Sequence, residues 1–201
     1  MVKIDLITGF LGSGKTTFLK KYAKRLMEQG QNIGILENDF GAVNVDMMLL
    51  QELEGEQCEL EMISGGCDPE THRRRFRTKL IAMGMCGYDR VIVEPSGIYD
   101  MDEFFDVLHE EPLDQWYEIG NVIAVVDARL EDTLSPEAEY LLASQAANAG
   151  CMILSKCDTA TEEQRQNTIE HLKRSLAALG CKQRADQKIL CEGAEPLPDQ
   201  D

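Results

Sequence analysis

Positive charge, long apolar runs and closely paired cysteines are all scarce in this chain of 201 residues. Lysine and arginine number 20 against 36 acidic residues, so the net charge is −16 and the isoelectric point is about 4.6. That balance argues against nucleic acid or an anionic membrane as the main partner, and any basic pocket must be local. No apolar stretch approaches the ~20 residues that a membrane span requires. The first apolar run is a few residues long and is interrupted by Asp5, so nothing near the N-terminus reads as a secretory leader. The seven cysteines, at positions 58, 67, 86, 151, 157, 181 and 191, are odd in number and show no C-x-x-C spacing. They read as small apolar residues or reduced thiols of a cytoplasmic protein, and not as a disulfide framework. There is no internal repeat and no low-complexity block.

What the chain does have begins between Gly9 and Thr17, G-F-L-G-S-G-K-T-T. The stretch follows an apolar strand candidate, Ile4 to Ile7, and runs into a helical pattern with Phe18, Leu19, Tyr22, Ala23, Leu26 and Met27 on one face. Glycines at 9, 12 and 14 let successive backbone N–H groups converge on a phosphate at a helix N-terminus. Lys15 adds a point charge for the outer phosphates, and the Thr16 hydroxyl suits a Mg²⁺ ligand. The strand, loop and helix context is the one this motif needs.

Further strand candidates are Asn32 to Leu36, Cys58 to Ile63, Tyr88 to Glu94, Val122 to Val126 and Cys151 to Leu154. Alternation of Glu59 and Glu61 with apolar residues makes 58–63 a half-exposed strand near a sheet edge. The helices between the strands carry their own signals. Gly30 is placed to close the first in a left-handed cap, Pro69 to open another, and Ser135-Pro136 to start a third. Thr161 and Gln164 form a capping box for the last, whose Ile169, Leu172, Leu176 and Leu179 face inward until Gly180. Trp116 reads as a packing residue or a partner anchor. Together these give an α/β fold, a three-layer P-loop NTPase with a mainly parallel sheet, over residues 1–190. Residues 191–201 form an acidic tail expected to be poorly ordered.

Chemistry-bearing residues recur where strands end. E-N-D-F-G, Glu37 to Gly41, reads either as a switch-like loop or as an ordinary polar turn. Glu94, opening E-P-S-G, suits a metal or metal-water ligand before a hinge glycine, Gly97. Asp158 in S-K-C-D can bind guanine N1–H and the 2-amino group while the stem of Lys156 covers the base. Arg73, Arg74, Arg75, Arg77 and Lys79 crowd one helix, as a solvated face, a docking surface or the source of a charge-stabilising finger.

In their order, G-F-L-G-S-G-K-T-T, E-N-D-F-G, S-G-G-C, E-P-S-G, V-V-D-A and S-K-C-D resemble the CobW/HypB/UreG family of P-loop GTPases over about residues 3 to 180. The resemblance implies a slow Mg²⁺-dependent GTPase switch that serves metal homeostasis or metallocentre assembly. By it, Gly12, Ser13, Gly14, Lys15, Thr16 and Thr17 bind phosphate, Thr16 and Glu94 hold Mg²⁺, and Ser155, Lys156 and Asp158 take the base. Lys15, Thr16 and Glu94 are the catalytic set, and Glu37 or Asp39 is the candidate for positioning the attacking water.

There are departures from the family pattern. Ser155 stands where asparagine is usual, which weakens guanine preference. Cys67 stands alone where many members carry C-x-C-C, so a Zn²⁺, Ni²⁺ or Co²⁺ site there needs oxygen or imidazole help, with Glu37, Asp39, Cys58 and His72 available. Larger members carry a further C-terminal domain, so target recognition is expected on the GTPase domain itself or in a separate partner. The expected partners are GTP, a client metalloprotein and, with nucleotide, a second copy of the chain. Competing readings are a regulatory module with little hydrolysis and an ATP-using enzyme.

Overall fold

Runs such as Ile4–Ile7 and Val91–Val93 are apolar at successive positions, as strands buried on both faces must be. A computed structural model describes residues 1–10, 12–39, 45–64, 69–95, 101–180 and 189–191. The elements in order are β1 (Val2–Thr8), α1 (Lys15–Glu28), β2 (Ile33–Asp39), α2 (Val45–Leu50), a 3₁₀ turn (Gln51–Leu53), β3 (Cys58–Ser64), α3 (Pro69–Gly84) and β4 (Arg90–Pro95). They continue as α4 (Met101–Leu108), α5 (Leu113–Trp116), β5 (Tyr117–Asp127), α6 (Pro136–Asn148), β6 (Cys151–Ser155), α7 (Glu162–Ala178) and β7 (Ile189–Cys191). The strands form one sheet in the order β3-β2-β4-β1-β5-β6-β7, and every pairing is parallel.

The two-residue strand period divides the core between the faces. Ile7, Ile33, Ile35, Ile92, Ile123 and Val125 pack with Phe18, Leu19 and Tyr22 of α1. Ile4, Leu6, Leu36, Val91 and Val93 point the other way, onto Phe76 and Leu80 of α3 and Phe104 of α4. On that second face Ala124, Val126, Met152 and Leu154 continue the core under Leu142 of α6 and Leu172 of α7. The result is the expected three-layer α/β fold.

The caps behave as the sequence dictates. Gly30 has φ 82 just beyond α1, Ser135 caps α6 by accepting from the Ala138 N–H, and Thr161 and Gln164 close a reciprocal capping box. Trp116 packs against the core, and β3 is an edge strand.

Several details differ from expectation, and β5 begins five residues early, at Tyr117 and not Val122. β2 runs on through Asp39, so Glu37 belongs to the strand and not to a following loop. Leu179, expected to face inward, is 44% exposed just past the end of α7. Cys191, assigned to the tail, is the last residue of β7 and pairs in register with Leu154.

The amino end of the sheet holds a buried polar knot. The Asp5 carboxylate accepts from Arg90 at 2.7 and 2.8 Å, from the Tyr22 hydroxyl at 2.7 Å and from the Asn121 backbone N–H at 2.6 Å. The β1–β5 register shifts between Ile4 and Leu6, beside Asp5. A Cβ at Gly120 would lie 2.2 Å from an Asp5 oxygen, so the glycine makes room for the carboxylate.

Candidate functional site

The opposite, carboxyl ends of the strands carry the glycine loop. At Gly9, φ is 147 and a Cβ would meet the Val125 carbonyl at 2.2 Å and Ser13 Oγ at 2.8 Å, so a side chain there would fill the cradle. Gly14 caps α1 in the left-handed conformation, φ 90, with no side-chain cap. The first N–H groups of a helix have no partner within the helix, so they are presented to whatever sits above the loop.

Inside the loop, the Ser13 N–H donates to the Phe10 carbonyl at 3.0 Å, and the buried Lys15 ammonium donates to the same oxygen at 3.3 Å. Ser13 Oγ is buried and meets no hydrogen-bond partner among the described residues. A closed loop with a glycine-only cradle, an inward cation and an orphaned hydroxyl fits a polyphosphate.

A hard-oxygen site adjoins it. Thr16 Oγ1 donates to Glu94 Oε1 at 3.2 Å. Glu37 on β2 is the register neighbour of Glu94 on β4, and both carboxylates are buried. Neighbouring strands lie ~4.8 Å apart, so Glu37 and Glu94 stand side by side in the sheet, and the bonded Thr16–Glu94 pair is a hard-oxygen set of the kind Mg²⁺ takes.

From the far side the loop is held by the β6–α7 connection. Ser155 Oγ donates to the Ser13 carbonyl at 2.5 Å, and Lys156 Nζ donates to the Gly12 carbonyl at 2.6 Å and to Asp127 at 2.7 Å. The Ser155 hydroxyl is thus directed to the loop backbone, while Asp158 is exposed nearby in sequence. Lys156 has φ 55, a conformation unusual for a side-chain-bearing residue.

Asp127, which the sequence offered only within V-V-D-A and without a role, is an anchor that reasoning from spacing missed. Its burial alone would raise its pKa, but hydrogen bonds from Arg129 and Lys156 outweigh this and hold it down to about 2. Arg129 is a local partner, but the contact that ties Asp127 to the loop comes from Lys156, 29 positions away.

The proposed transition-metal ligands are not all brought together. Cys67 and the side chain of Asp39 lie outside the described residues. Cys58 pairs in register with Ile33 and Glu37 with Met62. Four strand residues separate the two levels, ~13 Å at ~3.3 Å per residue, so Cys58 cannot share an ion with Glu37. Burial also pushes the Cys58 thiol up to about 11. His72 is buried, and burial together with the charge of Arg75 holds its imidazole below the ordinary histidine range. Among the described residues no group of three or more His, Cys, Asp or Glu is placed to hold a metal ion. No described helix is long and apolar enough to cross a membrane.

A glycine loop between a central parallel strand and a helix, with Lys15 turned into it and carboxylates on the neighbouring strands, defines a P-loop nucleotide-binding protein of the α/β class. The chain belongs to the CobW/HypB/UreG family, whose nucleotide-binding domain model matches residues 3–182. It is 29% identical over 172 residues to the zinc chaperone YjiA of Escherichia coli K12, covering 82% of this chain and 52% of that protein. It is 24% identical over 168 residues to the zinc-regulated GTPase metalloprotein activator 1 of Schizosaccharomyces pombe, covering 81% and 40%. The chain therefore spans about half the length, or less, of these curated relatives. Among solved structures, the Archaeoglobus fulgidus hydrogenase maturation factor HypB matches in fold with TM-score 0.58 at 19% identity, over 95% of this chain and 80% of that one.

Proposed function

We propose that this chain is a slow, Mg²⁺-dependent GTP-hydrolysing switch that serves metal delivery or metallocentre assembly. The observation that carries the reading is the convergence of Lys15, Thr16 and Glu94 on a glycine loop that Ser155 and Lys156 hold from the other side.

In this reading Lys15 and the N–H groups of residues 12 to 17 stabilise charge on the β- and γ-phosphates. Thr16 and Glu94 hold Mg²⁺, which supplies charge neutralisation when bound. Glu37, one strand over, helps to hold the cation or orients the attacking water. Asp158 and the stem of Lys156 take the guanine. Since the Ser155 hydroxyl donates to the loop, discrimination of GTP from ATP rests on these two residues. Hydrolysis releases the segments around 37–46 and 94–100 and so changes affinity for a metal, for a client metalloprotein or for a second copy. Zinc is the favoured cargo over nickel or cobalt, because relatives are named zinc chaperones. Cys67 and Glu37 are the candidate ligands.

Lys15→Ala should lower GTP affinity and Mg²⁺-dependent phosphate release by about tenfold or more, the loss of a charge-assisted contact. Unchanged values of both would sink the reading, and preferential binding of ATP in competition would move it to another class. Titration with Zn²⁺, Ni²⁺ and Co²⁺ should give affinities that differ with and without GTP. Equal affinities in both states would remove the metal switch while leaving nucleotide hydrolysis intact.

A further inference from the structure

The five cations of α3 do not share one environment. Arg73 and Arg77 turn to Glu110, at 2.7 and 2.9 Å, and belong to the protein's own ion pairs. Arg74 and Arg75 are exposed, and the charge of Arg75 also acts on the buried His72. With Lys79, which pairs with Glu61 at 2.6 Å, they line a groove of about 480 Å³ between α3 and β3, together with Met62, Ile63 and Thr78.

Two features of this groove point to an occupant. Its floor is a terminal strand, since β3 pairs with β2 on one side and, among the described residues, no strand pairs with its outer edge. Such an edge offers a row of backbone donors and acceptors to an extended chain. Its wall is basic on a protein of net charge −16, and Met62 of the floor strand is 38% exposed.

We propose that the groove takes an extended acidic segment of a partner protein, added as a strand alongside β3. Main-chain hydrogen bonds hold the segment, and alternate side chains carry carboxylates to Arg74 and Arg75. An apolar side chain of the segment covers Met62. The acidic remainder of the surface repels such a segment and so directs it to this face. A nucleic acid strand, with a charge on every phosphate, suits the groove less well, because the whole-chain field opposes it. Met62 is the register neighbour of Glu37, so β3 alone stands between the docked strand and Glu37 on β2. The groove is independent of the nucleotide reading.

The test uses the nucleotide-free full chain and fluorescence anisotropy with three probes: a labelled peptide alternating glutamate with valine, the same peptide with lysine for glutamate, and a single-stranded oligonucleotide. The acidic peptide should bind, more weakly at higher salt, and the lysine peptide should not. The double variant Arg74→Glu, Arg75→Glu should weaken binding by about tenfold or more, as loss of paired charges does. Arg25→Glu, on exposed α1 surface, should leave it unchanged. N-methylation of alternate peptide bonds should weaken binding if a strand is added. Should the double reversal fail to fold by circular dichroism, Arg74→Ala is expected to lower affinity about threefold. Equal binding by the arginine variants, or by the lysine peptide, overturns the proposal. Tighter binding of the oligonucleotide, abolished by the same substitutions, reassigns the groove to phosphate.

Discussion

Asp5 and Glu94 are both buried carboxylates on neighbouring strands, and both accept a hydroxyl from α1, Tyr22 for the first and Thr16 for the second. Their surroundings differ in kind. Asp5 sits against the Arg90 guanidinium, which reaches both of its oxygens, with the Asn121 N–H completing the set. Glu94 sits beside a second carboxylate, Glu37. A buried acid surrounded by the protein's own donors is structural, since removing either member strands the other charge in a poor solvent. Two buried acids side by side are tolerable when a cation joins them, which is what a functional site requires of its scaffold. One helix and one sheet thus hold a closed polar cluster at one end and a receptive one at the other.

The sharpest way to break this contrast is at the closed end. Asp5→Ala leaves Arg90 buried without its partner and should cost about 3–5 kcal/mol in urea unfolding. GTP affinity of the folded fraction should be retained. A loss below about 1 kcal/mol would mean that the knot does not hold the amino end together. At the receptive end, Glu94→Gln keeps an acceptor for Thr16 but removes a charge. Stability should move by no more than about 1 kcal/mol, while Mg²⁺-stimulated phosphate release falls about tenfold or more. Unaltered Mg²⁺ dependence would take Glu94 out of the cation site.

The smallest effect belongs to Asp127, whose carboxyl is held down to about 2 from an ordinary 3.8. A depressed carboxylate stabilises the fold fully above its unfolded value and loses that contribution as pH falls through the folded one. Asp127→Asn should therefore be less stable than the parent above about pH 4, with the gap closing towards pH 2 in denaturant titrations. A gap independent of pH would show that the charge on Asp127 is not what holds Lys156.

The glycine loop was legible in the sequence because its signal is local, whereas its contact with Glu94 spans 78 positions. Gly9 to Thr16 lie within one strand-to-helix turn, and the spacing of Gly12, Gly14 and Lys15 carries the geometry. The capping signals at Ser135 and Thr161 were legible for the same reason. The closed end was not, since Asp5 finds its partners 17, 85 and 116 positions away. Glu37 looked like a loop residue because Glu-Asn-Asp disfavours strands, and pairing with both β3 and β4 overrides that preference. The three residues of β7 are too few for any period to show. A polar stretch, Glu118 to Asn121, concealed the start of β5, whose irregular register accommodates Asp5.

The bonds from Ser155 to Ser13 and from Lys156 to Gly12 also bear on how the protein is made. They span 142 and 144 positions. At ~5–20 residues per second, a ribosome reaches residue 156 roughly 7–29 s after it has passed the glycine loop. Throughout that interval the nascent loop lacks the two donors that brace its carbonyls, so the glycine loop reaches its braced form only once β6 has joined the sheet.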